Sequence, residues 1–206
     1  MDLSALYNKL SDPGFQDPAK SDMYYNYYVF PYDPAQEYEL EQELLRFKNV
    51  LVRPVNYIDV LSIDIFEEFC EFLDKKTFGK HPSYLKYLLD KDKNMSDNVL
   101  KSLSSNANSE AFYTYLNERI LAHISKDDDD LRRPFIFIYG LGRMYPYLRT
   151  NVLLTNYENY NEVSKYKIIL FYPGRRSGNS YNLFNVLADP NIHRATTIID
   201  ESTLRP

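Results

Sequence analysis

Residues 132–174 read RRPFIFIYGLGRMYPYLRTNVLLTNYENYNEVSKYKIILFYPG, and the two apolar runs inside this stretch decide the fold. Pro134–Tyr139 and Lys167–Tyr172 are short, rich in Phe, Ile and Tyr, and each is followed by a glycine within two residues. Apolar runs of this length bounded by turn residues match strands buried on both faces. The segment between them is long enough for a crossover helix, so the unit reads β-α-β with parallel strands. In such sheets ligands and partners meet the loops at the carboxyl ends of the strands. Those loops are expected at Gly140-Leu141-Gly142-Arg143 and at Pro173-Gly174-Arg175-Arg176-Ser177-Gly178.

Working outward, 206 residues suit one domain with a sizeable core. The expected organisation is a single α/β domain over 1–206. Residues 24–61 and 131–200 form the sheet, and about 62–126 form a helical insertion between the second and third strands. The sheet is expected to be mostly parallel, with about five strands flanked by helices. A strand is expected over Tyr24–Phe30, stopped by Pro31. Asp33-Pro34 then opens a helix to about Phe47, with Glu37, Glu39, Glu41 and Glu43 in its first half. Those glutamates form either a solvated face or a docking surface. A second strand is expected over Asn49–Arg53, with Val55–Leu61 a strand end or loop. Asp64 or Ser62 caps a helix to about Leu73. A further helix begins at Pro82-Ser83, the polar stretch Asp90–Asp97 interrupts it, and Val99–Leu103 is weakly helical; after a Ser/Asn loop over Ser104–Ser109 another helix covers Glu110–Ile124. Asn179–Leu187 is expected to be helical, and Ala195–Ile199 to give a short fifth strand. Near the start, Leu3, Leu6 and Leu10 mark a short amphipathic helix ended by Asp12-Pro13-Gly14.

Composition limits the functions open to the chain. The net charge of −5 argues against a protein that coats nucleic acid unaided. The single cysteine, Cys70, excludes an internal disulfide and a multi-cysteine zinc site, and its apolar helical neighbours predict a buried, inert thiol. No basic-then-apolar leader and no run of transmembrane length is present, which predicts a cytoplasmic protein without membrane contact. The 20 tyrosines and 12 phenylalanines leave two readings, a compositional habit or an aromatic interface.

The chemical motifs are sparse. Gly140-Leu141-Gly142 lies between a strand and a helix, but the third glycine of a dinucleotide fingerprint is replaced by Tyr145. A tight turn needing residues without Cβ is the simpler reading. No phosphate-cradling NTPase motif occurs. Gly174-Arg175-Arg176-Ser177-Gly178, placed ahead of an expected helix N-terminus, is a candidate anion- or partner-binding turn. Asp127–Asp130 lacks calcium-loop spacing and reads as a solvated turn. His81, His123 and His193 have no metal spacing, although His193 could approach the arginine turn. No catalytic set, metal or cofactor is therefore expected, and a non-enzymatic role leads. The alternative is a degenerate nucleotide- or nucleic-acid-binding regulator.

Several blocks together carry a resemblance. They are Phe30-Pro31-Tyr32-Asp33-Pro34, Ile58-Asp59-Val60, Gly140 through Arg149, Phe171-Tyr172-Pro173-Gly174, Leu183-Phe184, and Asn191 with Arg194-Ala195. With them the chain resembles the B component of BREX (bacteriophage exclusion) systems. It departs from that pattern at Arg176, Asn185 and Ile192-His193. The resemblance implies a non-catalytic adaptor among larger BREX parts: a phosphatase-like protein, a methyltransferase and an ATPase. The alkaline-phosphatase-like component is the implied direct partner, and DNA contact is expected only within a complex. Combined with the strand-end loops, it yields the candidate partner- or anion-binding residues Gly142, Arg143, Tyr145, Arg149, Gly174, Arg175, Arg176 and Arg194.

Overall fold

A computed structural model describes residues 3–16, 27–51, 58–125, 133–160, 166–178, 180–189 and 195–199. Five parallel strands run in the order β2 (Ile58–Asp64), β3 (Arg133–Tyr139), β4 (Lys167–Ser177), β1 (Tyr27–Tyr32) and β7 (Thr196–Thr197). β4 outlasts the parallel sheet and continues into an antiparallel meander with β5 (Ser180–Leu183) and β6 (Leu187–Asp189). The fold is α/β with a mostly parallel sheet flanked by helices, and β3 and β4 are parallel neighbours in register Phe135↔Lys167.

The period-2 alternation of the strands sorts side chains between two cores. On one face Tyr28, Phe30, Phe135, Phe137, Ile169 and Phe171 pack against helices α1 (Leu3–Ser11), α2 (Pro13–Gln16) and α3 (Glu37–Leu51). Leu6, Leu10, Leu40 and Leu44 supply the helical side of that core. On the other face Val29, Ile136, Ile138, Ile168 and Leu170 meet α4 (Ile65–Lys75), α5 (Tyr84–Ala107), α6 (Glu110–Ile124) and α8 (Thr150–Tyr157). A buried carboxylate joins α4 to α6: Glu68 accepts from Tyr115 Oη at 2.8 Å and from Arg119 Nη2 at 2.8 Å. Asp33 and Asp64 cap helix starts as expected, and Ser83 and Ser109 cap α5 and α6.

Four expectations need correction. First, β1 runs through Pro31. Val29 turns its carbonyl to Ile198 N at 3.0 Å, so Pro31, two residues on, faces the same side, beyond the two-residue β7. Its missing N–H therefore interrupts no ladder. Second, the chain at Asn49–Leu51 continues α3, and the second strand is Ile58–Asp64 instead. β2 is an edge strand, which explains its mixed pattern: Asp59 pairs with His123 Nε2 at 2.5 Å. Third, α5 continues to Ala107, through most of the expected Ser/Asn loop, because Val99, Leu103 and Ala107 repeat every four residues and pack into the core. One non-helical residue, Met95, breaks its middle. Fourth, Ser180–Asp189 contains two strands in place of the expected helix. Burial alternates along Ser180–Leu183, with Tyr181 and Leu183 inward. Cys70 is half-buried, and burial followed by the charge of Asp64 pushes its thiol pKa up. The Asp127–Asp130 run and His193 lie outside the described residues.

Candidate functional site

Tyr32, Asp64, Tyr139 and Pro173 mark the carboxyl ends of the parallel ladder, set by the registers Asp64↔Tyr139 and Tyr32↔Pro173. At the β3 end the chain turns sharply at Gly140, which has φ 75°. A Cβ there would stand 2.7 Å from Asp64 Oδ1, so only glycine lets the carboxylate lie against the turn. Asp64 does two jobs. Its Oδ1 accepts from the N–H groups of Phe66 (3.1 Å) and Glu67 (3.2 Å), capping α4, while Oδ2 pairs with Arg143. Arg143, in the single-turn helix α7 (Leu141–Met144), also donates to Glu41 Oε1 at 3.0 Å and lies over the Phe66 ring. Burial would lower the pKa of Arg143, but Asp64, Glu41 and Glu37 outweigh it and hold it above its usual value.

Beside this pair Tyr32 Oη donates to Glu37 Oε2. Burial raises the Tyr32 phenol, and Glu37 raises it further. Glu37 is itself pushed up by burial, against the opposing effects of Tyr32 and Arg143. Burial, then the carboxylates of Asp64 and Glu41, raise Tyr139 as well. Three carboxylates therefore surround one guanidinium, and the phenols stay protonated. The arrangement welds α3, α4 and α7 to the sheet end through charge-assisted hydrogen bonds.

The second half of the edge is apolar and is built on two close approaches. A Cβ on Gly142 would meet the Phe184 ring at 2.9 Å and Pro173 at 3.2 Å. A Cβ on Gly174 would lie 2.1 Å from the Asn182 carbonyl, because β5 crosses there. Phe184 packs edge-on to Tyr145, with ring centroids 6.2 Å apart, and its N–H bonds Pro173 O at 2.8 Å. Arg149 lies over the Tyr145 ring and donates to Ala188 O at 3.2 Å. The Tyr145–Pro146 bond is cis. Phe184 itself has φ 54°, a conformation that costs a bulky residue on the order of 1–3 kcal/mol. At the end of β6 Asp189 is 1% exposed and accepts from Tyr172 Oη at 3.3 Å, with burial raising its carboxyl pKa.

The candidate residues thus divide. Gly142, Arg143, Tyr145, Arg149 and Gly174 come together at this edge. Arg175 and Arg176 instead lie along the exposed extension of β4 and precede a hairpin turn, so the helix N-terminus expected behind them does not exist. Arg176 is tied back to Gly178 O at 2.9 Å and Thr197 Oγ1 at 3.3 Å. Arg194 lies outside the described residues. Sequence reasoning found the capping role of Asp64 but missed its pairing with Arg143, and missed the roles of Glu41, Tyr32 and Asp189. Asp64 carried a usable signal, an aspartate closing a strand directly before a helix. Among the described residues no group of three or more His, Cys, Asp or Glu could hold a metal, and no helix is long and apolar enough to cross a membrane.

Comparison with known proteins places these features in one family. A BREX protein BrxB from Bacillus cereus (strain H3081.97) is 24% identical over 204 residues, covering 97% of this chain and 96% of the relative. No solved structure gives a significant match. The family model for BREX protein BrxB matches residues 61–198, which include the second half of β2, all of β3 through β7 and the whole Gly142–Phe184 edge. The chain belongs to the BrxB family of BREX proteins.

Proposed function

We propose that this BREX component acts as a non-enzymatic adaptor, holding larger BREX proteins together through the carboxyl edge of its sheet. Membership in a BREX family ties the chain to phage resistance and to work alongside other BREX proteins. The observation that carries the adaptor reading is the convergence of the sequence blocks that resemble the family. Gly142, Tyr145, Pro173 and Phe184 pack on one another in a preorganised apolar tip at this edge. The neighbouring guanidinium of Arg143 is committed to Asp64 and Glu41, which favours a structural over a phosphate-binding role for it. The alkaline-phosphatase-like component is the proposed direct partner, and DNA is reached only through the complex.

Affinity purification of the tagged chain from cells carrying the whole system tests this. Recovery with the phosphatase-like protein in stoichiometric amount is expected, and recovery alone under mild salt overturns the reading.

A further inference from the structure

The β5–β6 turn sets an apolar tip beside two arginines. Val186 is 80% exposed, and Phe184, two residues before it, is 36% exposed. Phe184 and Asn185 both hold positive φ, and Phe184 N–Pro173 O and Val186 N–Leu183 O bonds fix the turn against β4. An exposed apolar tip held in a strained turn is a preorganised contact, because little freedom remains to be lost on binding. The meander next to it has one buried face and one open face. Tyr181, Leu183 and Asp189 are buried, whereas Arg175, Asn182 and Ala188 stand directly opposite one another across β4, β5 and β6. Alternation puts that row on the outward face, where Arg175 and Ala188 are exposed.

Charge selects the occupant. Among the described residues Arg175 has no ion-pair partner, and Arg149 gives one N–H to Ala188 O with no carboxylate at hydrogen-bond distance. The carboxylate of this meander, Asp189, feels the charge of Arg149 but is buried and accepts from Tyr172. Asp64 and Glu41, beyond Gly142, are engaged by Arg143. The open face beside the tip is therefore positive, although the whole chain carries −5. A partner bringing carboxylates is attracted there, and one bringing lysines or arginines is repelled. The phosphate backbone of a nucleic acid offers nothing to Val186, and the net charge opposes a polyanion at longer range. An anionic lipid surface calls for clusters of about four to eight lysines or arginines, more than this turn presents. We propose that this tip docks an acidic segment of a partner protein. An aliphatic or aromatic side chain of that segment rests on Val186 and Phe184, and flanking aspartates or glutamates pair with Arg175 and Arg149. The inference rests on the adaptor reading and specifies the chemistry of its partner.

The test is a backbone amide NMR titration of the full chain with a short synthetic peptide of alternating glutamate and leucine. Its arginine–leucine counterpart is the control. Shifts confined to Arg149, Gly174–Arg175 and Asn182–Ala188 are expected with the acidic peptide alone. Arg175→Glu, at an exposed strand position, weakens that binding about tenfold, and Val186→Asp weakens it by a similar factor. Added salt weakens it further, whereas Arg175→Lys keeps most of it. Shifts elsewhere, no shifts, or an equal response to both peptides overturn the proposal. The same shifts on adding a short DNA duplex or phosphatidylserine vesicles, or on concentrating the chain alone, overturn it too. They would assign the tip to nucleic acid, lipid or a second copy. The double variant Arg175→Glu with Val186→Asp is then used to capture the phosphatase-like protein. Undiminished capture by that variant overturns the docking surface while leaving the adaptor reading intact. A mapped acidic peptide with no BREX protein recovered by the unaltered chain does the reverse.

Discussion

A Gly-Arg pair follows the parallel part of each of the neighbouring strands β3 and β4, Gly142-Arg143 in one and Gly174-Arg175 in the other, yet the two stretches do opposite things. After β3 the chain turns at Gly140, starts a helix and points Arg143 back into Asp64 and Glu41. After Gly174 the chain stays extended, so Arg175 and Arg176 run out along a hairpin in solvent. The difference lies in what each glycine must avoid. Gly140 needs a left-handed backbone beside a carboxylate, whereas Gly174 needs room for a crossing strand. Similar dipeptide signals therefore mark different structures, and the charge that matters for integrity is at the first turn.

The contrast can be broken most severely at Gly174. A Cβ 2.1 Å from the Asn182 carbonyl cannot be relieved by a side-chain rotation. Gly174→Ala is expected to destabilise by about 3 kcal/mol or more, read as a lowered urea midpoint. Arg143→Ala comes next. It strands Asp64 and Glu41, but the Arg143 side chain is 37% exposed, so water screens part of the loss. The expected cost is about 2 kcal/mol, below the range for a fully buried pair, and the same urea titration measures it.

Asp189, under the second turn, sharpens the comparison through pH. Its folded pKa is raised by burial above the ordinary carboxylate value of about 4. The folded chain therefore binds the proton more tightly than the unfolded chain does. The stability tied to that proton is complete below the unfolded pKa and is lost as pH rises through the folded one. Asp189→Asn should raise the melting temperature at neutral pH, with the gain shrinking as pH falls toward about 4. A gain that grows on acidification would show the sign to be wrong. Smallest of all, Arg175→Glu should change stability by no more than about 0.5 kcal/mol in thermal melts. Arg176→Glu should cost slightly more, since it loses bonds to Gly178 and Thr197.

Half of the edge was legible in the sequence. Gly142, Arg143, Tyr145, Arg149 and Gly174 do meet there. Their partners Asp64 and Glu41 lie 79 and 102 residues from Arg143 along the chain, beyond any local pattern. A helix was expected after the arginines of the second turn because SYNLFNVLAD fits a helical period and an alternating one equally well over so few residues.

Features that rest on local physics can be read from the chain before it folds. Apolar runs ending at glycines gave parallel buried strands, and side chains that accept from free N–H groups marked the helix starts. Tertiary structure alone decided where order stops. β4 outruns the sheet because β5 pairs with it, β2 replaces the expected second strand because an edge tolerates Asp59 and Ser62, and α5 absorbs its Ser/Asn tail because Ala107 is buried. Propensity differences of a few tenths of a kcal/mol per residue, about the scale at such positions, yield to burial and pairing that only the folded chain supplies.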